Sequence, residues 1–232
     1  MYSKILVALE GSAFSLKGGG IATTLAQGLG SENVATHIYD AGLHSKRFRE
    51  MEPVLPTDYQ EKGTLKEVRE AHEDLIYEGF EALSKGYMEK FVAGARERGI
   101  LITQVFREGR NYIKLIEVAE EKQANLIVLG AHGLGDIRDR HLGSTVLRTL
   151  RMASCDVLVA RRNLNQGKVI VAIDGSSEAL GALRKGVLWS RALSRPLQVV
   201  AVYDPLFHQQ VDRLPPNIFR RRTSISGKLD YA

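Results

Sequence analysis

Cysteine is scarce in this chain: among 232 residues the only one is Cys155. One thiol cannot close a bridge within the chain, so the sequence excludes an intrachain disulfide and a multi-cysteine metal site. Such sparing use of cysteine suits a reducing compartment, and we expect a cytoplasmic protein.

Long apolar runs are lacking as well. The first residues, MYSKILVAL, do not form a cationic leader followed by a long apolar stretch, and no later run approaches the roughly eighteen apolar residues of a membrane span. We therefore expect a soluble chain that is neither exported nor inserted in a membrane.

Neither sign of charge is gathered into a long block. The chain has 32 lysines and arginines against 27 aspartates and glutamates, a net charge of +5, and 44% of its residues are apolar. This composition is ordinary for a globular protein with a sizeable core. Nucleic acid is consequently a weak candidate as a partner.

Short apolar runs alternate with helical patterns over the first 162 residues. The predicted strands cover 4–9, 33–40, 100–106, 125–130 and 155–160. The predicted helices cover 13–29, 64–98, 111–123 and 143–153. The stretch 41–63 has two prolines and no clear period, and it is predicted to be a long loop. The alternation predicts an α/β fold with an open, doubly wound sheet of five parallel strands.

An internal repeat follows this first unit. KILVALEGS at 4–12 recurs as KVIVAIDGS at 168–176, and the same offset pairs later positions without a gap. We predict a complete domain at 1–162, a linker at 163–167, the first part of a second domain at 168–208 and a tail at 209–232, for which disorder is one alternative. A lone strand-helix-strand fragment cannot bury both faces of its sheet. We therefore expect this fragment to pack on the first unit or on a partner, or to be the remaining part of a longer gene product.

A glycine-rich segment, GAHGLGDIRDRHLGS at 130–144, follows the fourth predicted strand. It matches neither the Walker pattern nor the dinucleotide fingerprint. Gly130 and Gly133 allow the backbone to approach a ligand closely or to take positive φ. Gly143 and Ser144 open a helix, whose free N–H groups favour an anion. If strands 1 and 4 are neighbours, this loop lies at the crevice where ligands bind in such sheets.

The spacing of the glycines in this segment resembles the signature of the universal stress protein family, in its nucleotide-binding branch. Two residues separate Gly130 from Gly133, and nine residues separate Gly133 from Gly143, which Ser144 follows. The resemblance covers about residues 1–162 and includes the segments ILVALEGS, HIYD, ANLIVLGAHG and CDVLVA. It implies a flavodoxin-like fold of the HUP type. It also implies that ATP or AMP binds at the carboxyl edge of the sheet, with or without Mg²⁺. It also implies a homodimer that pairs through the last strand of the domain.

The resemblance assigns site residues by position. The adenine side of the pocket corresponds to Ala8, Glu10 and Ile38. By the same resemblance, the phosphates and the ribose would be held by Leu129, Gly130, Gly133, Gly143, Ser144, Thr145 and Val146. Family members that bind ATP usually have aspartate where Glu10 stands, whereas the second copy keeps it as Asp174.

Three classes of function are compatible with these residues. The first is a nucleotide-binding module that acts in stress response or signalling through dimerisation or partner contact. The second is a structural or dimerisation module of the same fold that binds no nucleotide. The third is a nucleotidyl transferase, but the first strand is followed by EGSAFS and not by a histidine-rich phosphate motif. We predict no catalytic residue and no metal site; slow ATP hydrolysis would need a general base that the sequence does not reveal.

Overall fold

A computed structural model of the chain describes residues 2–133, 141–162 and 166–202. The predicted tail at 209–232 lies outside the described residues, as do 163–165 of the predicted linker and 203–208 of the predicted second domain. The domain boundaries themselves therefore stay predictions.

Five parallel strands form one open sheet in the first unit. They are β1 (Lys4–Ala8), β2 (Glu32–Tyr39), β3 (Ile102–Glu108), β4 (Leu126–Gly130) and β5 (Asp156–Ala160). Their order across the sheet is β3-β2-β1-β4-β5, so β1 and β4 are neighbours near its centre. Residues 5–7 and 126–128 are fully buried, which explains why these strands are continuous apolar runs. The predicted α/β fold with five parallel strands is confirmed.

Helices cover both faces of this sheet. They are α1 (Ala13–Leu29), α2 (Ala41–Met51), α3 (Thr57–Gln60), α4 (Lys62–Arg96), α5 (Asn111–Glu121) and α6 (Ser144–Met152). On one face, α1 and α4 pack against Ile5 and Val7 of β1. On the other face, α5 and α6 pack against Leu6, because successive strand residues point to opposite sides. The side chains of each strand therefore contribute to two separate apolar cores.

The prediction of a long loop at 41–63 is wrong. This stretch contains α2, a short 3-10 helix at Glu52–Val54, and α3. The side chain of Asp40 accepts a hydrogen bond from the N–H of Leu43 at 3.0 Å and so caps α2. The ring of Phe48 stacks on His72 of α4, with centroids 4.3 Å apart. These helices are short and mostly exposed, so too few apolar positions recur to reveal a helical period.

Beyond the first unit, β6 (Val169–Ile173), α7 (Ser177–Ala192) and β7 (Leu197–Ala201) form a two-stranded parallel unit. This unit packs on the first one, with Trp189 of α7 and Leu193, the residue after α7, lying against the core on the α1 side. The ammonium of Lys185 donates to the Asp156 carboxylate at 2.7 Å. Asp156 also accepts a hydrogen bond from the Tyr2 hydroxyl. Burial and this carboxylate raise the pKa of Tyr2.

No helix among the described residues is long and apolar enough to cross a membrane.

Candidate functional site

The crevice of the sheet lies between β1 and β4, where the chain reverses the direction in which it adds strands. A cavity of about 150 Å³ opens there, at the carboxyl ends of β1, β2 and β4. Its lining residues are Ala8, Leu9, Glu10, Thr36, Ile38, Asn111, Leu115, Leu129, Gly130, His132, Gly133, Gly143, Thr145 and Val146. We call it the crevice cavity.

The structure brings nine of the ten sequence-predicted site residues together around this cavity. They are Ala8, Glu10, Ile38, Leu129, Gly130, Gly133, Gly143, Thr145 and Val146. Ser144 is the exception, because it begins α6 with an exposed side chain and does not line the cavity. The part that each residue plays in binding stays a prediction.

Sequence reasoning missed five lining residues, the polar Thr36, Asn111 and His132 and the apolar Leu9 and Leu115. Thr36 lies two residues before Ile38 on the same strand, so the two-residue period of β2 could have placed both on one face. Asn111 is the first residue of α5, which follows β3 at the same edge of the sheet. The order of the elements along the chain could therefore have indicated that Asn111 lies at this edge of the sheet.

Thr36 is the polar residue most deeply buried at this cavity, with 1% of its surface exposed. Its hydroxyl has no hydrogen-bond partner among the described residues. Leaving a buried hydroxyl unpaired costs about 1–3 kcal/mol, so native structures seldom retain one without a reason. The wall of the crevice cavity therefore includes a residue whose buried hydroxyl has no partner in the described part of the chain.

Glu10 lines the cavity and is held there by the start of α1. Ser12 is the N-cap of that helix, and its hydroxyl accepts from the N–H of Ser15 at 3.1 Å. The same hydroxyl donates to the Glu10 carboxylate. A carboxylate near a helix N-terminus is also favoured by the helix dipole. The sequence at 10–15 thus fixes the carboxylate beside the crevice.

Glycine is required at different positions of this segment for different structural reasons. A Cβ on Gly130 would lie 2.7 Å from the backbone N of Ser15, so α1 itself excludes a side chain there. Gly143 is the N-cap of α6 and supplies no side-chain acceptor to the amides that follow. Neither Gly130 nor Gly133 has positive φ, so of the two alternatives only close approach of the backbone remains. Positive φ occurs instead at Gly11, between Glu10 and Ser12.

Behind the cavity, the buried ring of His37 fixes the end of β1. Its Nδ1 lies 2.6 Å from the carbonyl oxygen of Leu9, the residue before Glu10. Because that carbonyl can only accept, Nδ1 carries a proton. The ring also meets Tyr87 of α4 edge-on, with centroids 5.3 Å apart. Burial lowers the pKa of His37 below its usual range.

Metal-ligating side chains do not cluster in the part of the chain that the structure describes. Within residues 2–133, 141–162 and 166–202 no group of three or more histidines, cysteines or carboxylates could hold a metal ion. His132 lines the crevice cavity, whereas His141 is exposed outside it.

Comparison with known proteins identifies relatives for the first unit. The sequence profile of the universal stress protein family matches residues 1–161. Universal stress protein MJ0531 of Methanocaldococcus jannaschii is 30% identical over 162 residues, which are 70% of this chain and 84% of that protein. Universal stress protein YxiE of Bacillus subtilis is 26% identical over 161 residues, 69% of this chain and 100% of that protein.

Solved structures show the same fold. Universal stress protein UspA from Lactobacillus plantarum superposes with a TM-score of 0.51 at 20% sequence identity, covering 69% of this chain and 98% of that one. At this identity the likeness concerns the fold, and it matches the five-stranded sheet described above.

Proposed function

Because the chain belongs to the universal stress protein family, we propose that it binds an adenine nucleotide, ATP or AMP, in the crevice cavity. The unpartnered hydroxyl of Thr36 is the observation that carries this proposal. Binding would act in stress response or signalling, in the cytoplasm, by changing dimerisation or contact with a partner.

The walls of the cavity suit the base of a nucleotide. Ile38, Leu115, Leu129 and Val146 supply apolar surface for a flat ring, and the Thr36 hydroxyl would pair with a nitrogen or amino group on its edge. The cavity of about 150 Å³ is smaller than the roughly 300–1,000 Å³ of most ligand sites. The base would therefore be enclosed, while the ribose and phosphates extend to the mouth.

The mouth offers groups that suit phosphates. Gly133 and Gly143 both line the cavity, and Gly143 is the N-cap of α6, which begins at Ser144. The backbone amides of that turn and the positive end of the helix dipole attract anions. Mg²⁺ would arrive with the phosphates, because this ion commonly binds nucleotides through phosphate oxygens and water.

Thr36→Val tests the proposal, because valine keeps the shape of threonine and removes only the hydroxyl. Isothermal titration should show that the wild type binds ATP or AMP and that Thr36→Val binds about tenfold more weakly, since one hydrogen bond is lost. The melting temperature should not fall, because the free protein loses an unpaired hydroxyl.

Thr23→Val is the matched control. Thr23 is also buried, but its hydroxyl donates to the carbonyl of Gly19 at 2.9 Å within α1, away from the cavity. This variant should keep the wild-type nucleotide affinity. A wild type that binds neither nucleotide would contradict the proposal and favour the structural module. Equal affinity in Thr36→Val would show that the bound nucleotide does not pair with the Thr36 hydroxyl.

The edge of the sheet supports a second part of the proposal, a homodimer. The outermost strand next to β4 is β5, and four of its five residues are only partly buried. Leu147, Leu150 and Met152 of the adjacent α6 are exposed. An edge strand beside exposed apolar side chains can pair with a second copy. Sedimentation equilibrium with and without ATP measures this association and its response to nucleotide.

A further inference from the structure

A second and larger cavity lies between the first unit and the β6-α7-β7 unit. Its volume is about 970 Å³, within the range of ligand-binding sites. Residues of α1, β5, α7 and the segment before β6 line it, and we call it the basic cavity. It shares one lining residue, His132, with the crevice cavity, so the two sites are adjacent but distinct.

Positive charge is concentrated at this cavity. Five cationic side chains line it: Lys17, Arg162 and Lys168, together with Arg161 and Arg195, which also interact with other groups of the protein. None of its described lining residues is an aspartate or a glutamate. Such an excess of one sign in a concave site raises the local concentration of ligands of the opposite sign. The described side chains therefore favour an anionic ligand.

The floor of the same cavity is apolar. It includes Leu158 of β5, Trp189 of α7 and Leu193 just after α7, which are partly exposed, and Ile21 and Leu25 of α1, which are buried. All five belong to or pack against one apolar core. On the wall, Ile170 of β6 leaves 60% of its surface exposed. Burying this surface is favourable for any ligand with an apolar body.

We propose that the basic cavity binds an amphiphilic anion, a molecule with a hydrocarbon or aromatic body and a phosphate or carboxylate head. A purely inorganic anion would leave the apolar floor in contact with water. A neutral apolar molecule would displace water from the cationic side chains without replacing its hydrogen bonds. A ligand with both parts satisfies both surfaces of the cavity.

Octyl phosphate, used below its critical micelle concentration, is a suitable probe for isothermal titration with the full chain, and octanoate tests the carboxylate head. Inorganic phosphate supplies the head alone, and octyl glucoside supplies the chain with a neutral head. We expect at least one of the two anionic amphiphiles to bind about tenfold more tightly than either of these. Equal affinity for octyl glucoside or for inorganic phosphate would overturn the proposal.

Variants locate the site. Arg162→Gln combined with Lys168→Gln should weaken octyl phosphate binding about tenfold, because two exposed cations are removed. Arg47→Gln with Lys90→Gln removes the same charge from α2 and α4, outside the cavity lining, and should leave binding unchanged. Circular dichroism confirms that each variant is folded.

Thr36→Val separates the two cavities, since Thr36 lines only the crevice cavity. Octyl phosphate should bind this variant as it binds the wild type, even if nucleotide binding is lost or was never present. Loss of octyl phosphate binding in Thr36→Val would place the probe in the crevice cavity and overturn the inference. Unchanged binding in the Arg162 and Lys168 double variant would overturn it as well.

Discussion

The carboxylate of Glu10 lies against Gly133, and both residues line the crevice cavity. Its Oε2 is 3.1 Å from the point where a Cβ on Gly133 would stand. The hydroxyl of Ser12 holds the other carboxylate oxygen. A side chain from the end of β1 thus occupies the space that the glycine leaves free in the loop after β4.

This contact predicts that Gly133→Ala is less destabilising when residue 10 is shorter. In the wild-type background the new methyl group crowds the carboxylate, and we expect the free energy of unfolding to fall by about 0.5–1 kcal/mol. Glu10→Asp withdraws the carboxylate by one methylene, so Gly133→Ala should have little effect there. Urea denaturation of the four proteins in a double-mutant cycle measures the coupling. Additive effects would show that the two residues do not interact.

The sequence predicted the parts of this site that depend on order and spacing. Apolar runs located β1 and β4, and the glycine spacing located the start of α6, because both are local patterns. The unpaired state of Thr36 could not be predicted, since it depends on which groups the completed packing leaves within reach. Gly130 is a similar case: the backbone that excludes its side chain belongs to Ser15, more than a hundred positions earlier in the chain.

His37 gives the protein a predicted loss of stability in acid. Burial lowers the pKa of His37 in the folded protein, whereas the unfolded chain has the ordinary value of about 6.5. As the pH falls below that value, the histidine is protonated in the unfolded state but stays neutral in the folded state. The free energy of unfolding therefore falls. Above the unfolded pKa the ring is neutral in both states, and its effect disappears.

Asparagine at position 37 should remove this dependence, because it can still donate to the Leu9 carbonyl but does not titrate. Urea denaturation at pH 7.5 and pH 5.5 gives the comparison. Between these pH values the wild type should lose more unfolding free energy than His37→Asn. The exposed His44 provides the control, and His44→Asn should follow the wild type. Parallel losses in wild type and His37→Asn would refute the assignment.

The contact between α1 and α7 depends on a second glycine. A Cβ on Gly28 would lie 2.4 Å from the carbonyl oxygen of Ala192 and 2.7 Å from its Cα. These are backbone atoms, so a side chain at Gly28 cannot be accommodated by a change of rotamer. On the same helix, Gly20 has nothing within 4 Å of its Cβ position.

Gly28→Ala should therefore displace α7 from the first unit. Trp189 is the only tryptophan of the chain, and it packs beside Tyr2 with ring centroids 5.9 Å apart, so its fluorescence reports this interface. We expect Gly28→Ala to shift the emission to longer wavelength, because the indole becomes more exposed to water. Gly20→Ala should leave the emission unchanged and stabilise α1 by about 0.5–1 kcal/mol. Wild-type emission from Gly28→Ala would mean that α7 does not pack closely on α1 in solution.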